Sequence, residues 1–349
     1  MKFGVKEFNF KEKDPCVVIS EVGVNHNGSI ELAKKLVDAA VEAQVDIVKF
    51  QSFKSDKEIS KYAAKAPYQQ ETTSSDVNQL EMCKELELDA DTLLEMQSYC
   101  FKNGVGFLCT AFEKESVDLL ADYLKVETIK IPSSEVTNLP LLEYIGSRFN
   151  AAILSTGAST IAEVGLALDS LKKGGCHEIM LFHCVTSYPA EIADVNLRAI
   201  TTMKMAFGFP VGFSDHTIGI NVPIAAATMG AVAIEKHFTL DRTMKGPDHQ
   251  ASIEPQDLKK MIIGIREAQR AMGEPIKKPQ PCEIPNIQLI RKGLVSKGDL
   301  KAGTKLTLEN IDIKRPAEGI APADLQKVIG MIIVNDIQDD APIHWKDLK

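Results

Sequence analysis

His216 and His237 lie at the ends of two short β-type runs, VGFSDH (211–216) and AVAIEKHF (231–238), and stand 21 residues apart. If those runs are neighbouring strands about 4.8 Å apart, the two imidazoles meet at one level and suit a single divalent ion. Two histidines without a cysteine-rich set fit an open site, completed by waters and substrate oxygens, rather than a closed zinc site. Lys49, in DIVKFQ (46–51), and Lys130, in TIKIPS (128–133), are each set among apolar residues. A lysine buried in a strand is costly unless an anion meets its charge, which makes both candidates for holding a phosphate or carboxylate. The bland alternative is a lysine snorkelling to a rim. The hydroxyls of Thr110, Ser133, Ser155 and Ser214 are further donors for such an anion, or else caps for the helices that follow. Glu21, Gln51, Glu135, Tyr188 and Glu235 complete the polar residues near the ends of β-type runs. Gln51 lies two residues beyond Lys49 and so faces the same side. His183 reads as a core histidine, and His26 as either structural or functional.

These residues need elements to position them. Eight near-continuous apolar runs, at 17–23, 46–51, 106–112, 128–133, 151–157, 178–184, 211–216 and 231–238, alternate with amphipathic stretches. Runs of that kind fit parallel strands covered on both faces. Ser29 is placed to cap a helix carrying Leu32, Leu36, Val37 and Ala40. Asp89 is placed to cap one carrying Leu93, Leu94 and Met96 that stops at Asn103-Gly104. Eight β–α units in about 250 residues predict a (β/α)8 barrel, with its active site at the C-terminal ends of the strands. The polar residues above cluster at those ends. Residues 52–88 are long and polar for a βα loop, which predicts a functional or lid-like segment.

After Arg270 the Pro-rich stretch GEPIKKPQPCEIPN reads as a linker. The expected division is a barrel over 1–271, a linker over 272–287 and a small α+β or β-clip domain over 288–349. Some 60 residues are marginal for a core, so docking of that domain on another surface is expected.

The 349 residues carry 40 Lys+Arg against 48 Asp+Glu, a net charge of −8, without a basic block. That argues against nucleic-acid binding, which needs a cationic stripe. The longest apolar run, 222–234, is too short to span a bilayer, and MKFGVKEFNFKEKDP is no signal peptide, so no membrane association is expected. Seven widely spaced cysteines without a CxxC pair fit a reduced, cytoplasmic setting. No GxGxxG, Walker or GxSxG motif is present.

At ISEVGVNHNGS (19–29), DIVKFQ, KIPSSE (130–135), ILSTG (153–157), HCVTSYP (183–189), FSDHT (213–217), EKHFTLD (235–241) and KGPDHQASIEP (245–255), the sequence resembles the sialic acid synthase family over essentially its whole length. These are the N-acetylneuraminate synthases with their legionaminate, pseudaminate and 9-phosphate relatives. Residues 288–349, with IKRPAEGIAP (313–322), resemble the family's antifreeze-like SAF domain. The resemblance implies condensation of phosphoenolpyruvate with an open-chain N-acetylmannosamine-type sugar, dependent on Mn2+ or Mg2+, with phosphate released by C–O cleavage. It implies His216 and His237 as metal ligands, and Lys49, Thr110, Lys130, Ser133, Ser155 and Ser214 as phosphoenolpyruvate-binding residues. Gln51, Glu135, Tyr188 and Asp248 would contact the sugar, with Glu21 at the reacting centre and either Glu21 or Glu135 managing the proton of water. Arg315 would reach the sugar's N-acetyl group from the partner chain of a domain-swapped homodimer. The leading expectation is N-acetylneuraminate synthesis, with N,N'-diacetyllegionaminate synthesis next. Thr186 and Ser134 depart from frequent family patterns and bear on the sugar's identity, while KGPDHQASIEP sides with the neuraminate and legionaminate branches rather than the pseudaminate one. Two further readings of the residues are a class I aldolase using Lys49 or Lys130 as a Schiff base, and a carbohydrate-binding protein.

Overall fold

The computed structural model describes residues 1–11, 13–65 and 78–349, so the lid-like reading of 52–88 lies in part outside the described residues. The chain divides into two units, Met1–Gly273 and Glu274–Lys349.

In the first unit a short hairpin, β1 (Lys2–Phe3) and β2 (Lys6–Glu7), precedes eight parallel strands. These are β3 (Val17–Gly23), β4 (Ile47–Ser52), β5 (Gly106–Ala111), β6 (Thr128–Ile131), β7 (Ala151–Ser155), β8 (Glu178–Cys184), β9 (Val211–Asp215) and β10 (Ala233–His237). They close into a barrel, with β10 pairing to β3. All eight fall within, or within a residue of, the apolar runs of the sequence. The expected caps form: Ser29 accepts from the Leu32 amide at the start of the helix Ile30–Glu42, and Asp89 accepts from the Thr92 amide at the start of Ala90–Lys102.

The strand registers sort every strand residue to the inside or the outside of the barrel. Val17, Ile19 and Glu21 lie opposite Ala233, Glu235 and His237, while Ile19 and Glu21 lie opposite Ile47 and Lys49. Thr110 lies opposite both Gln51 and Lys130. Because alternate residues share a face, this inward set continues around the ring. Its N-terminal half is apolar: Val17, Ile19, Ile47, Leu108, Ile153, Met180 and Phe182 pack with Met1, Phe3 and Phe10 from the first ten residues. Phe3, Phe8 and Phe10 meet at ring separations of about 6 Å. Its C-terminal half is polar, and the cleft opens above it. The outward set, including Val18, Val48, Phe107, Leu154, Leu181 and Phe213, forms the main core with the surrounding helices.

The second unit contains β11 (Gly293–Ser296) and β12 (Ile311–Lys314), paired antiparallel, and several isolated bridges. It encloses a core of its own, in which Leu294, Leu306, Ile320, Val328, Ile333 and Ile343 are buried.

Candidate active site

A cleft of about 300 Å3 opens above the polar half of the barrel and is lined by residues on or just past all eight strands. Glu21, Lys49, Gln51, Thr110, Lys130, Ser133, Ser155, Tyr188, Ser214, His216, His237 and Asp248 all line it. Glu135 does not. It lies on the 3-10 turn Ser133–Thr137, where its carboxylate accepts from Asn138 Nδ2 at 2.7 Å. Arg315 belongs to the second unit, just past β12, and is exposed.

The centre of the cleft floor is a charge lattice. Lys49 Nζ lies 2.8 Å from Glu21 Oε2 and 3.6 Å from Glu235 Oε1, and it donates to Thr110 Oγ1 at 3.0 Å. Lys130 Nζ lies 3.8 Å from the same Glu235 oxygen and donates to Ser155 Oγ at 2.6 Å. Ser214 Oγ donates to Glu235 Oε1 at 3.0 Å, and Gln51 Nε2 donates to Glu21 Oε1 at 2.7 Å. Both lysines are 3% exposed, which rules out a snorkelling role. The anions that meet them here are carboxylates of the chain itself. Glu235, between the two ammonium groups, is the residue whose weight the sequence does not reveal. Its sign of importance there is its position two residues before His237, on the same face.

The two lysines respond differently to burial. Desolvation alone would push the Lys49 ammonium down, but Glu21 and then Glu235 carry it above its ordinary value. Lys130, with Glu235 as its principal carboxylate, is held below its ordinary value by burial. Burial raises Glu21 against the opposing pull of Lys49, whereas Lys130 and Lys49 hold Glu235 low in spite of burial. Burial, followed by the nearby Glu21, pushes Asp248 up to about 7.

The four hydroxyls do not cap helices: the helices after β5 and β7 are capped by Glu113 and Thr160. Ser133 Oγ accepts from the Gly157 amide at 2.9 Å and lies 3.3 Å from Cys184 Sγ. The backbone of Gly157 is tightly enclosed, since a Cβ there would sit 2.5 Å from the Thr186 methyl and 3.0 Å from Ser133 Oγ.

His216 and His237 do converge, with ring centroids 5.5 Å apart, and the Tyr188 ring lies against both at 4.1 and 5.5 Å. His216 Nδ1 lies 2.5 Å from the Val185 carbonyl, which can only accept, so this nitrogen carries the proton and Nε2 keeps its lone pair. Burial drives the His216 pKa down to about 4 and that of His237 well below its ordinary value, so both rings are neutral near pH 7. The buried Nδ1 of His237 has no hydrogen-bond partner, and Asp248 Oδ2 is 3.7 Å away. Two neutral imidazoles, one with an orphaned buried nitrogen, suit a divalent cation, although no group of three or more acidic, histidine or cysteine ligands is gathered among the described residues. His183 is bonded through Nε2 to the Val195 carbonyl, and His26 Nδ1 accepts from the Gly28 amide; neither lines the cleft.

Above the floor the lining is both apolar and polar. Val24, Phe53 and Leu86 form a small apolar cluster with Cys83 and Phe112 against them, and Met82, Glu58 and Gln79 line the cleft as well. Ser133, Ser134, Thr186 and Tyr188 belong to the polar remainder of the lining.

A closed parallel barrel carrying paired lysines, carboxylates and two neutral histidines at its C-terminal end defines an enzyme of the (β/α)8 class. Known proteins then define the family. Residues 36–277 match the NeuB family and residues 291–349 match the SAF domain. The chain is 47% identical over 330 residues to the N,N'-diacetyllegionaminic acid synthase of Campylobacter jejuni, covering 94% of this chain and 98% of that one. It is 39% identical over 338 residues to the enzyme of the same name from Legionella pneumophila, covering 96% and 95%. The solved N-acetylneuraminic acid synthetase of Leptospira borgpetersenii, in complex with citrate, superposes with a TM-score of 0.70 at 32% identity, over 79% of this chain and 91% of that one. The chain belongs to the NeuB family, the sialic and legionaminic acid synthases. Among the described residues no helix is long and apolar enough to cross a membrane.

Proposed function

We propose that the chain condenses phosphoenolpyruvate with the open-chain form of a 2,4-diacetamido-2,4,6-trideoxy sugar, giving a nonulosonic acid and inorganic phosphate. The observation that carries this reading is the pair of buried lysines ringed by hydroxyls. Lys49 and Lys130, with Thr110, Ser155 and Ser214, supply two charges and several donors at one level, as a substrate bearing both a phosphate and a carboxylate requires. Ser133, already organised by the Gly157 amide, extends that set.

In the reaction, C3 of the enol forms a bond to the sugar's C1 aldehyde carbon, and the aldehyde oxygen gains a proton to become a hydroxyl. Water adds at C2 and loses one proton to leave a C2 hydroxyl; that hydroxyl then collapses to the ketone as the bond from C2 to the phosphate oxygen breaks, its proton leaving with inorganic phosphate, and a 2-keto acid remains. Glu21 is the carboxylate we assign to the proton of water: it lines the cleft and its pKa is raised, whereas Glu135 lies outside the lining. A divalent cation, Mn2+ or Mg2+, would be held by His216 Nε2 and His237 Nδ1 and would act as a Lewis acid toward the aldehyde. Gln51, Tyr188 and Asp248 are assigned to the sugar, and Arg315 to its N-acetyl group from the second chain of a swapped homodimer. Seven free cysteines support a reducing, cytoplasmic setting.

The apolar part of the lining supports the choice of acceptor. Val24, Phe53, Met82, Leu86 and Phe112 offer contacts to methyl groups, and Glu58 and Gln79 are the hydrogen-bonding side chains that the same stretches of chain add to the lining. No lysine or arginine other than Lys49 and Lys130 lines the cleft among the described residues, which disfavours a sugar 6-phosphate. The test is phosphate release from phosphoenolpyruvate with Mn2+ and each of N-acetylmannosamine, its 6-phosphate and the trideoxy sugar. The expected result is the highest kcat/KM with the trideoxy sugar and loss of release in EDTA. A preference for N-acetylmannosamine would assign N-acetylneuraminate synthesis instead. A pyruvate adduct trapped by borohydride, with activity indifferent to EDTA, would overturn the synthase reading in favour of a Schiff-base aldolase.

A further inference from the structure

Outside the cleft, the eight strands turn almost entirely uncharged side chains toward the helices. Charged types occur on that outward face at two positions, Asp215 on β9 and Lys236 on β10. They are 0% and 1% exposed, they are register partners, and Lys236 Nζ lies 2.5 Å from Asp215 Oδ2. Lys236 Nζ also donates to the Thr217 carbonyl at 2.6 Å. The other Asp215 oxygen accepts from the Thr217 amide at 3.0 Å and from its hydroxyl at 2.9 Å. Every bond in this network joins residues that flank His216 or His237 in sequence.

Stability alone is a poor reason for such a pair. Replacing a buried ion pair by apolar residues of similar size is often neutral or stabilising, because desolvating two charges offsets their attraction. The main consequence of this pair is geometric. Lys236 is bonded to both sides of His216, to Asp215 before it and to Thr217 after it, while being joined through its own backbone to His237. A slip of β10 by one residue against β9 would turn His237 outward and also separate this pair, so the pair opposes the slip. We infer that Asp215, Lys236 and Thr217 form an outer clamp that fixes where His216 and His237 point, a positioning device for the two imidazoles and, through them, for the cation. Only the last clause rests on the metal reading given above.

The test uses the full chain with Asp215→Leu and Lys236→Met together, which removes both charges and keeps apolar volume. Histidine-labelled, metal-free protein reports the His216 tautomer through its ring nitrogen shifts, and Mn2+ titration followed by electron paramagnetic resonance reports the dissociation constant. The clamp predicts loss of the single Nδ1-protonated form of His216 and a Mn2+ dissociation constant raised about 10–100-fold, the usual effect of removing groups that orient ligands. A His216 tautomer like that of the unmodified chain overturns the inference, whatever happens to the thermal midpoint. If the double variant does not fold, Asp215→Asn decides by the same two readouts, since it keeps an acceptor for Thr217 and removes the charge. If the unmodified chain binds no Mn2+, or binds it equally well after His237→Ala, the metal reading fails, and the tautomer alone judges the clamp.

Discussion

At the scale of single residues, the floor of the cleft is a balance of two buried ammonium groups, Lys49 and Lys130, against two buried carboxylates, Glu21 and Glu235. Glu235 is central because it answers both lysines at once, at 3.6 and 3.8 Å. Glu235→Gln would leave Lys130 without its principal carboxylate, while burial already holds that ammonium low. Lys130 should then lose its proton more readily. The folded-state pKa falls further, so the cation is present at low pH and is lost as pH rises. We expect kcat/KM for phosphoenolpyruvate to fall on the order of 100-fold near neutral pH, in line with the cost of removing one partner of a buried charge pair. The deficit should shrink as the assay pH is lowered. A deficit that does not change with pH would show that Glu235 acts through something other than the charge state of Lys130.

At the scale of elements, the strand ends are shaped to aim side chains. The register between β3 and β4 shifts between Glu21 and Gly23, and Gly23 has φ +54, a left-handed conformation that suits glycine. That irregularity is next to the bonded pair Glu21 and Gln51, which lie 3.2 Å from where a Gly23 Cβ would be. Gly157, just past β7, serves a different purpose: there the neighbours are too close for a side chain. Gly157→Ala forces its methyl onto Thr186 and Ser133, and overpacking of this kind costs about 1–3 kcal/mol. The variant should fold with a lowered thermal midpoint and a KM for phosphoenolpyruvate raised roughly tenfold or more, because Ser133 must move. Adding Thr186→Ser, which removes the methyl 2.5 Å from the new Cβ, should recover part of that loss. Steady-state phosphate release with the single and double variants checks both statements.

At the scale of the whole molecule, each unit has its own apolar core, so each has the packing expected of a separate folding unit. The swapped-homodimer reading can be tested without separating them. Arg315→Ala and His237→Ala chains should each be nearly inactive in the full reaction. Unfolded together and refolded as a mixture, they should regain activity if Arg315 serves the partner's barrel, because one site in each mixed dimer then has both an intact His237 and an intact Arg315. If Arg315 serves its own barrel, every site lacks one of the two and the mixture stays inactive. Sedimentation of the same mixture checks that dimers form.

Eight apolar runs, two caps and the recurrence of polar residues at strand ends made the barrel and much of its cleft legible from sequence, because strand alternation and helix capping are local rules. The same alternation put Lys49, Thr110, Lys130, Ser155, Ser214 and His237 on the inward face. What the residues meet is not local. That Glu235 stands within reach of both lysines and that the first ten residues pack against the apolar end of the barrel depend on contacts across long stretches of chain, and that Glu135 bonds Asn138 outside the cleft lining depends on the turn after β6. The pairing of Lys236 with Asp215 depends on the register of two strands joined by a full β–α unit. Residue types and spacing determined which side chains could reach the strand ends. Closure of the barrel decided which charges share a low-dielectric space, and that sharing sets their protonation and their chemistry.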